Sequence, residues 1–71
     1  MNKENLILLR IETQLKPLEK ELIYLQGQES YYRLKEYFFE VEKTQGKIHG
    51  YKVAISNLKE IEKTVKDLFK I

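Results

Sequence analysis

The sequence contains no cysteine and no tryptophan, and among its 71 residues are only one proline, one histidine and three glycines. The absence of cysteine excludes disulfides, thiolate metal ligands and a thiol nucleophile. A chain this short buries only about 60% of the surface that its unfolded form exposes, so its core is marginal. Small domains are commonly supported by disulfides, a metal or association. Association is the support that this composition favours.

Charge is abundant but unevenly distributed. Charged residues make up 34% of the chain and hydrophobic residues 42%, which is typical of a folded, surface-charged protein. Residues 1–42 carry six basic and eight acidic side chains, whereas residues 43–71 carry seven basic and three acidic ones. The early apolar run from Leu6 to Leu9 is too short for a membrane span or a signal peptide. We therefore expect a cytoplasmic protein with no membrane partner. The lysine-rich, alanine-poor composition suits a short reading frame of a phage or mobile element.

The first third of the chain has apolar residues at alternating spacings of three and four. This seam consists of Leu8, Ile11, Leu15, Leu18, Leu22 and Leu25. The spacing predicts a coiled-coil-like helix over about 3–26. Pro17 opposes it, because proline inside a helix costs about 3 kcal/mol. Since the seam keeps its phase across Pro17, we expect a kinked but continuous helix with Pro17 on the solvent side. The alternative is a second helix that begins at Pro17.

A chain reversal is predicted over residues 27–30. Gly27 tolerates the positive φ found just past a helix end, and Ser30 is a suitable N-cap for the next helix. So short a loop makes the neighbouring helices antiparallel. Apolar residues then recur at helical spacing from about 31 to 69. The predicted core or oligomer seam of this second helix consists of Leu34, Phe38, Val41, Ile48, Ile55, Leu58, Ile61, Val65 and Leu68.

Two glycines leave two interpretations of the second helix open. Gly46 and Gly50 each cost about 1 kcal/mol relative to alanine within a helix, so a break there would give a compact three-helix bundle. With Ala54 they would instead form a flank of small residues that lets another backbone approach. We favour the continuous helix, because no proline, asparagine, aspartate or serine supports a turn there. The favoured fold is one all-α domain over 1–71, an antiparallel hairpin whose longer second helix extends past the first and dimerises into a four-helix bundle.

Two surface stripes are candidates for binding. Apolar and small residues away from the seam suggest a surface for a second copy or a target protein, although a wide hydrophobic face within a small bundle would give the same pattern. These candidates are Tyr24, Tyr32, Phe39, Gly46, Gly50 and Val53. A lysine row lies within about 60° of arc on the second helix and would suit a phosphate backbone. A solvated flank is the simpler interpretation. The row consists of Lys52, Lys59, Lys63, Lys66 and Lys70.

The sequence offers no recognisable arrangement for catalysis. His49 is the only histidine, and no cysteine or carboxylate accompanies it at metal-ligand spacing. Glu36 and Glu40 form a like-charge pair rather than an acid/base dyad. We therefore expect no enzymatic activity, cofactor or small-molecule ligand. The function predicted from the sequence is a self-associating interaction module, a homodimer that docks on a protein target as a small regulator, inhibitor or assembly adaptor. A nucleic-acid-associated role for the lysine row is the alternative.

Overall fold

Two helices of equal length form the described part of the chain. The computed structural model describes residues 3–69, with helix α1 at Lys3–Leu34 and helix α2 at Phe38–Phe69, 32 residues each. A 32-residue helix is about 48 Å long. Since the longest dimension of the molecule is 51 Å, the helices lie side by side and run in opposite directions. The prediction of an all-α helical hairpin is confirmed.

The position of the reversal differs from the prediction of a turn over 27–30, which is wrong. Helix α1 continues through Gly27, and the Ser30 hydroxyl donates to the Gln26 carbonyl at 3.2 Å instead of capping a new helix. The reversal occupies residues 35–37. A turn over 27–30 would have left the end of a 39-residue second helix uncovered. The later turn gives two helices of equal length, so each apolar seam covers the other and no overhang remains.

The turn is held by the backbone hydrogen bonds of a Schellman motif. The N–H of Tyr37 donates to the Tyr32 carbonyl at 2.9 Å, and the N–H of Glu36 donates to the Arg33 carbonyl at 3.1 Å. Glu36 has a φ of 60°, the left-handed conformation that this motif requires and that glycine usually provides. The Tyr32 and Tyr37 rings, 6.3 Å apart, supply the apolar contact that commonly accompanies the motif. Lys35 lies between Leu34 and Glu36, and Tyr37 directly precedes α2.

Pro17 lies inside a continuous helix, as the unbroken phase of the first seam predicts. Helix α1 runs through it without interruption, so a second helix does not begin there. Pro17 cannot donate to the Thr13 carbonyl one turn earlier. Both residues are exposed, so water can reach that carbonyl. The exposed position is what makes the proline tolerable.

Helix α2 is also continuous, which excludes the three-helix alternative. It passes through Gly46 and Gly50 without a break, and neither has a positive φ. A Cβ built on either glycine meets no atom within 4 Å. The small side chains are therefore not used to bring α1 closer to α2.

The core is a narrow seam between the two helices. Its buried apolar members are Ile11, Leu15, Leu25, Val41, Ile48 and Ile55, and the buried Thr44 joins them. Leu18, Leu22, Leu58 and Val65 pack against the cluster that Ile11 and Leu15 form with Ile55.

Four residues of the predicted second seam lie outside this core. Leu34, Phe38, Ile61 and Leu68 are all exposed in the single chain. Leu34 and Phe38 flank the turn, where the helices no longer face each other along their seams. Ile61 lies on the flank of α2, one position before the half-buried Glu62, and Leu68 lies beyond Val65, the last half-buried residue of α2.

Candidate interaction surfaces

The hairpin seam uses one heptad phase along each helix. In α1 it takes positions 8, 11, 15, 18, 22, 25, 29 and 32, and in α2 positions 41, 44, 48, 51, 55, 58, 62 and 65, all of them buried or half-buried. The seam of α2 keeps one phase past Gly46, and the buried Thr44 is one of its members. Glu29 and Glu62 are the charged members. Each is half-buried and paired one turn away, Glu29 with Arg33 at 3.2 Å and Glu62 with Lys66 at 3.9 Å.

An open groove lies beside this seam, near the middle of α2. It has a volume of about 370 Å³ and is lined by Leu18 from α1 and by Lys47, Gly50, Tyr51 and Ala54 from α2. The four α2 residues stand at i, i+3, i+4 and i+7, which is the arrangement that receives a side chain of a facing helix in knobs-into-holes packing. Gly50 contributes no side chain, so its place in the groove is empty. We call this the first groove.

A second groove follows ten residues later on the same helix. Asn57, Glu60, Ile61 and Thr64 repeat the same spacing, and Val65 completes a lining around about 510 Å³. The first groove contains a lysine and the second a glutamate at its border. The Ile61 side chain is exposed and protrudes at the second groove.

A third groove of about 310 Å³ lies at the open end of the hairpin. Its lining of Lys3, Leu6, Ile7 and Arg10 has the same spacing on α1. Leu6 and Ile7 are exposed, as are Leu68 and Phe69 near the end of α2. The open end is therefore apolar as well as basic.

Aromatic residues concentrate at the opposite end, around the turn. The Tyr31 and Tyr32 rings meet edge-to-face at 5.7 Å, and Tyr37, Phe38 and Phe39 follow directly in the chain. The Lys35 amine lies 5.9 Å from the centre of the Tyr31 ring, and the Lys43 amine lies 5.5 Å from that of Phe39. All of these aromatic residues except Tyr32 are exposed. We call this group the aromatic tip.

The predicted partner-binding residues do not form one continuous surface. Phe39, Gly46 and Val53 are exposed at seven-residue intervals, so they share the outer face of α2. Gly50 lines the first groove. Tyr24 and Tyr32 belong to α1. The Tyr24 hydroxyl accepts a hydrogen bond from the Gln28 side-chain amide at 2.9 Å, and Tyr32 is the last seam residue of α1 before the turn.

The lysine row is exposed along one flank of α2. Lys52, Lys59 and Lys63 are exposed, whereas Lys66 is paired with Glu62. Lys70 lies outside the described residues. Two glutamates of α1 border this flank. Glu12 and Glu19 each come directly after a seam residue of α1, and Lys52 and Lys59 each come directly after a seam residue of α2. In an antiparallel pair of helices, such positions lie on the same side of the seam. The row is thus partly offset by acidic neighbours.

The described residues contain no group of three or more histidine, aspartate or glutamate side chains placed to hold a metal ion. His49 is exposed on α2. Neither helix, over the residues described, has an apolar stretch long enough to cross a membrane.

Comparisons with protein-family models, with curated proteins and with solved structures gave no match to the chain. The surfaces of the hairpin are therefore the basis for proposing a function.

Proposed function

We propose that the chain is a non-enzymatic protein interaction module that works as a homodimer. Two hairpins form a four-helix bundle, and the bundle docks on another protein as a small regulator, inhibitor or assembly adaptor. The observation that carries the proposal is the area the single hairpin leaves exposed.

The hairpin exposes more surface than a compact protein of its mass. Its accessible surface is 5766 Å² for 8.6 kDa, whereas a folded monomer of this mass exposes about 4,700 Å². Its radius of gyration is 16.1 Å, against about 11 Å for a compact chain of this length. The excess of about 1,100 Å² is similar to the roughly 800 Å² that each partner buries in a standard interface.

A second hairpin is the simplest cover for this area. One pair of helices can bury only one stripe of each, and the described structure has apolar side chains left over along the flank of α2 and at both ends. Four-helix bundles enclose such flanks in a shared core. The dimer also provides the support that a chain of this length without cysteine needs.

The aromatic tip is the candidate docking surface for the target protein. Tyrosine and phenylalanine are enriched at interface cores, and rings stacked under lysine amines bring a large contact area at low entropic cost. Because the tip is at one end of the long axis, it stays accessible when hairpins pair along their flanks.

Solution mass tests the dimer directly. Light scattering behind a sizing column, over a hundredfold range of protein concentration, is expected to give about twice 8.6 kDa at the higher concentrations. A constant monomer mass across the range, with the helical content intact, would refute the proposal.

Docking through the tip is tested with matched variants. Capture of a partner from cell extract by the tagged protein is expected to be lost in Phe39→Ser and kept in Ile23→Ser. The two side chains are equally exposed, at 71% and 70%, but Ile23 is two helical turns before the aromatic tip. Equal capture by both variants would exclude the tip as the docking surface.

Binding of nucleic acid is the second candidate function, and the exposed row of Lys52, Lys59 and Lys63 favours it. Binding to a duplex or a single strand would weaken steeply with salt, since each phosphate contact releases counterions. Replacing the three lysines by glutamate would abolish it. Undetectable binding at low salt would refute this alternative, which the neighbouring carboxylates of α1 already make the weaker one.

A further inference from the structure

The geometry points to one specific arrangement of the dimer, and this inference rests on the function proposed above. We infer that the α2 helices of two copies pack antiparallel about a two-fold axis between Ala54 and Asn57. Ile61 of each copy then fills the first groove of the other, and Lys47 of each copy pairs with Glu60 of the other.

The two grooves of α2 match each other under this symmetry. They repeat one lining pattern ten residues apart, about 15 Å along the helix. In an antiparallel pair centred midway between the grooves, Gly50 of one copy lies opposite Ile61 of the other. Ala54 likewise lies opposite Asn57. Each first groove therefore faces a second groove, so one patch on each copy forms a self-complementary contact of the kind a two-fold dimer uses.

The shapes of the facing residues are complementary. Ile61 is 50% exposed although it is large and apolar. The place opposite it is the gap left by Gly50, where a built Cβ meets no atom within 4 Å. Leu18 and Tyr51 provide apolar walls for the incoming side chain. Gly50 also allows the helix axes to come near the lower end of the 8–10 Å range of packed helices.

The charges of the two grooves are complementary as well. Lys47 borders the first groove and Glu60 the second. Across the antiparallel pair they are offset by about one helical turn, which a lysine side chain can span. Within one chain they are 13 residues apart on a straight helix, about 20 Å, so they cannot pair with each other. Two such pairs form between the copies, one on each side of the axis.

The exposed area is sufficient for this contact. The surplus of about 1,100 Å² per chain exceeds the roughly 800 Å² per partner of a standard interface. Since Leu18 of α1 lines the first groove, the incoming helix contacts both helices of the hairpin. The assembly is then a four-helix bundle rather than a pair of crossed helices.

Charge reversal with rescue tests the pairing. Sedimentation equilibrium at low salt is expected to show that Lys47→Glu and Glu60→Lys each weaken the dimer about tenfold, because each change replaces two attractive pairs by two repulsive ones. The double variant restores the wild-type dissociation constant to within about threefold. Lys63→Glu carries the same change in charge as Lys47→Glu at an exposed position outside both grooves, and it leaves the constant nearly unchanged.

Filling the groove gives an independent test. Gly50→Leu is expected to yield a folded monomer, because the new side chain occupies the space that Ile61 of the second copy requires. Gly27→Leu is the matched control, since Gly27 is also a helical glycine with open space at its Cβ, but on α1. This control is expected to remain a dimer with unchanged affinity.

The outcomes separate this inference from the proposed dimer. A wild-type dimer whose affinity is unaffected by the single reversals, or not rescued in the double variant, would place the interface elsewhere. It would overturn the inference while the proposed dimer stands. A dimer of Gly50→Leu with wild-type affinity would overturn it too. A wild-type chain that stays monomeric at all concentrations would overturn both.

Discussion

Replacing Glu36 by glycine is expected to stabilise the hairpin, against the usual effect of adding glycine. Glu36 is the non-glycine residue with positive φ in the described chain, and its backbone N–H is already used in the turn. Its side chain is exposed. The change therefore relieves backbone strain without removing a buried contact.

The expected gain follows from two opposing terms. The left-handed conformation costs a residue with a Cβ about 1–2 kcal/mol, and glycine avoids this cost. Glycine also raises the conformational entropy of the unfolded chain, which lowers the free energy of unfolding by about 0.4–1 kcal/mol. The net increase in the free energy of unfolding is about 0.5–1 kcal/mol. In a domain of this size it raises Tm by about 2–8 °C.

Thermal unfolding followed by circular dichroism measures the effect. All variants are compared at one protein concentration, because self-association makes Tm depend on concentration. Lys35→Gly is the matched control, since Lys35 has a negative φ, and glycine there adds only unfolded-state freedom and removes the lysine–tyrosine contact with Tyr31. Its Tm is expected to fall. If Glu36→Gly lowers Tm as much as Lys35→Gly, the strain at Glu36 does not exist and the reasoning fails.

Two further predictions concern α1. Leu25→Ala is expected to lower the free energy of unfolding, measured in urea, by about 2–5 kcal/mol, because Leu25 is only 3% exposed. Leu34→Ala, at a position 84% exposed, should change it by less than about 0.5 kcal/mol. Similar losses in both variants would contradict the burial of Leu25 in the seam. Pro17→Ala is expected to raise the same quantity by up to about 3 kcal/mol, because it restores a helical hydrogen bond at an exposed site. An unchanged midpoint of urea unfolding would show that α1 is not helical across Pro17.

Residues with the chemistry of helix ends do not by themselves locate the turn in this chain. Gly27 and Ser30 have the chemistry of a helix end and a helix start, yet both lie within α1. The heptad phase was the stronger signal, since Leu25, Glu29 and Tyr32 continue the spacing of the first seam. In the sequence the apolar seam ends at Leu25, because the next seam position, Glu29, is charged. In the structure, Glu29 tolerates its half-buried position because Arg33 pairs with it.

The first groove was only partly predictable. The spacing of Gly50 from Gly46 and Ala54 indicates a candidate for partner contact. The sequence pattern places Ile61 in the seam, because an apolar residue next to the seam cannot be distinguished from a seam residue without the correct phase. Thr44 is the seam residue that sets this phase in α2. Because its side chain is polar, the sequence alone does not identify it as a seam residue. Once Thr44 and Glu62 are counted, the second seam keeps one phase throughout and Ile61 falls on the flank beside the grooves.

The sequence by itself determined that the chain is helical and that its helices pair along apolar seams. Spacings of three and four residues leave helix as the only regular structure that gathers the leucines on one side, and they carry each helix through Pro17 and the glycines. Only the tertiary structure decided where the chain reverses, because the best turn is the one that lets two seams of equal length cover each other. That balance depends on both helices together and on the left-handed Glu36 between them. The tertiary structure also decided which apolar residues remain exposed, since a side chain is buried only if the other helix contacts it.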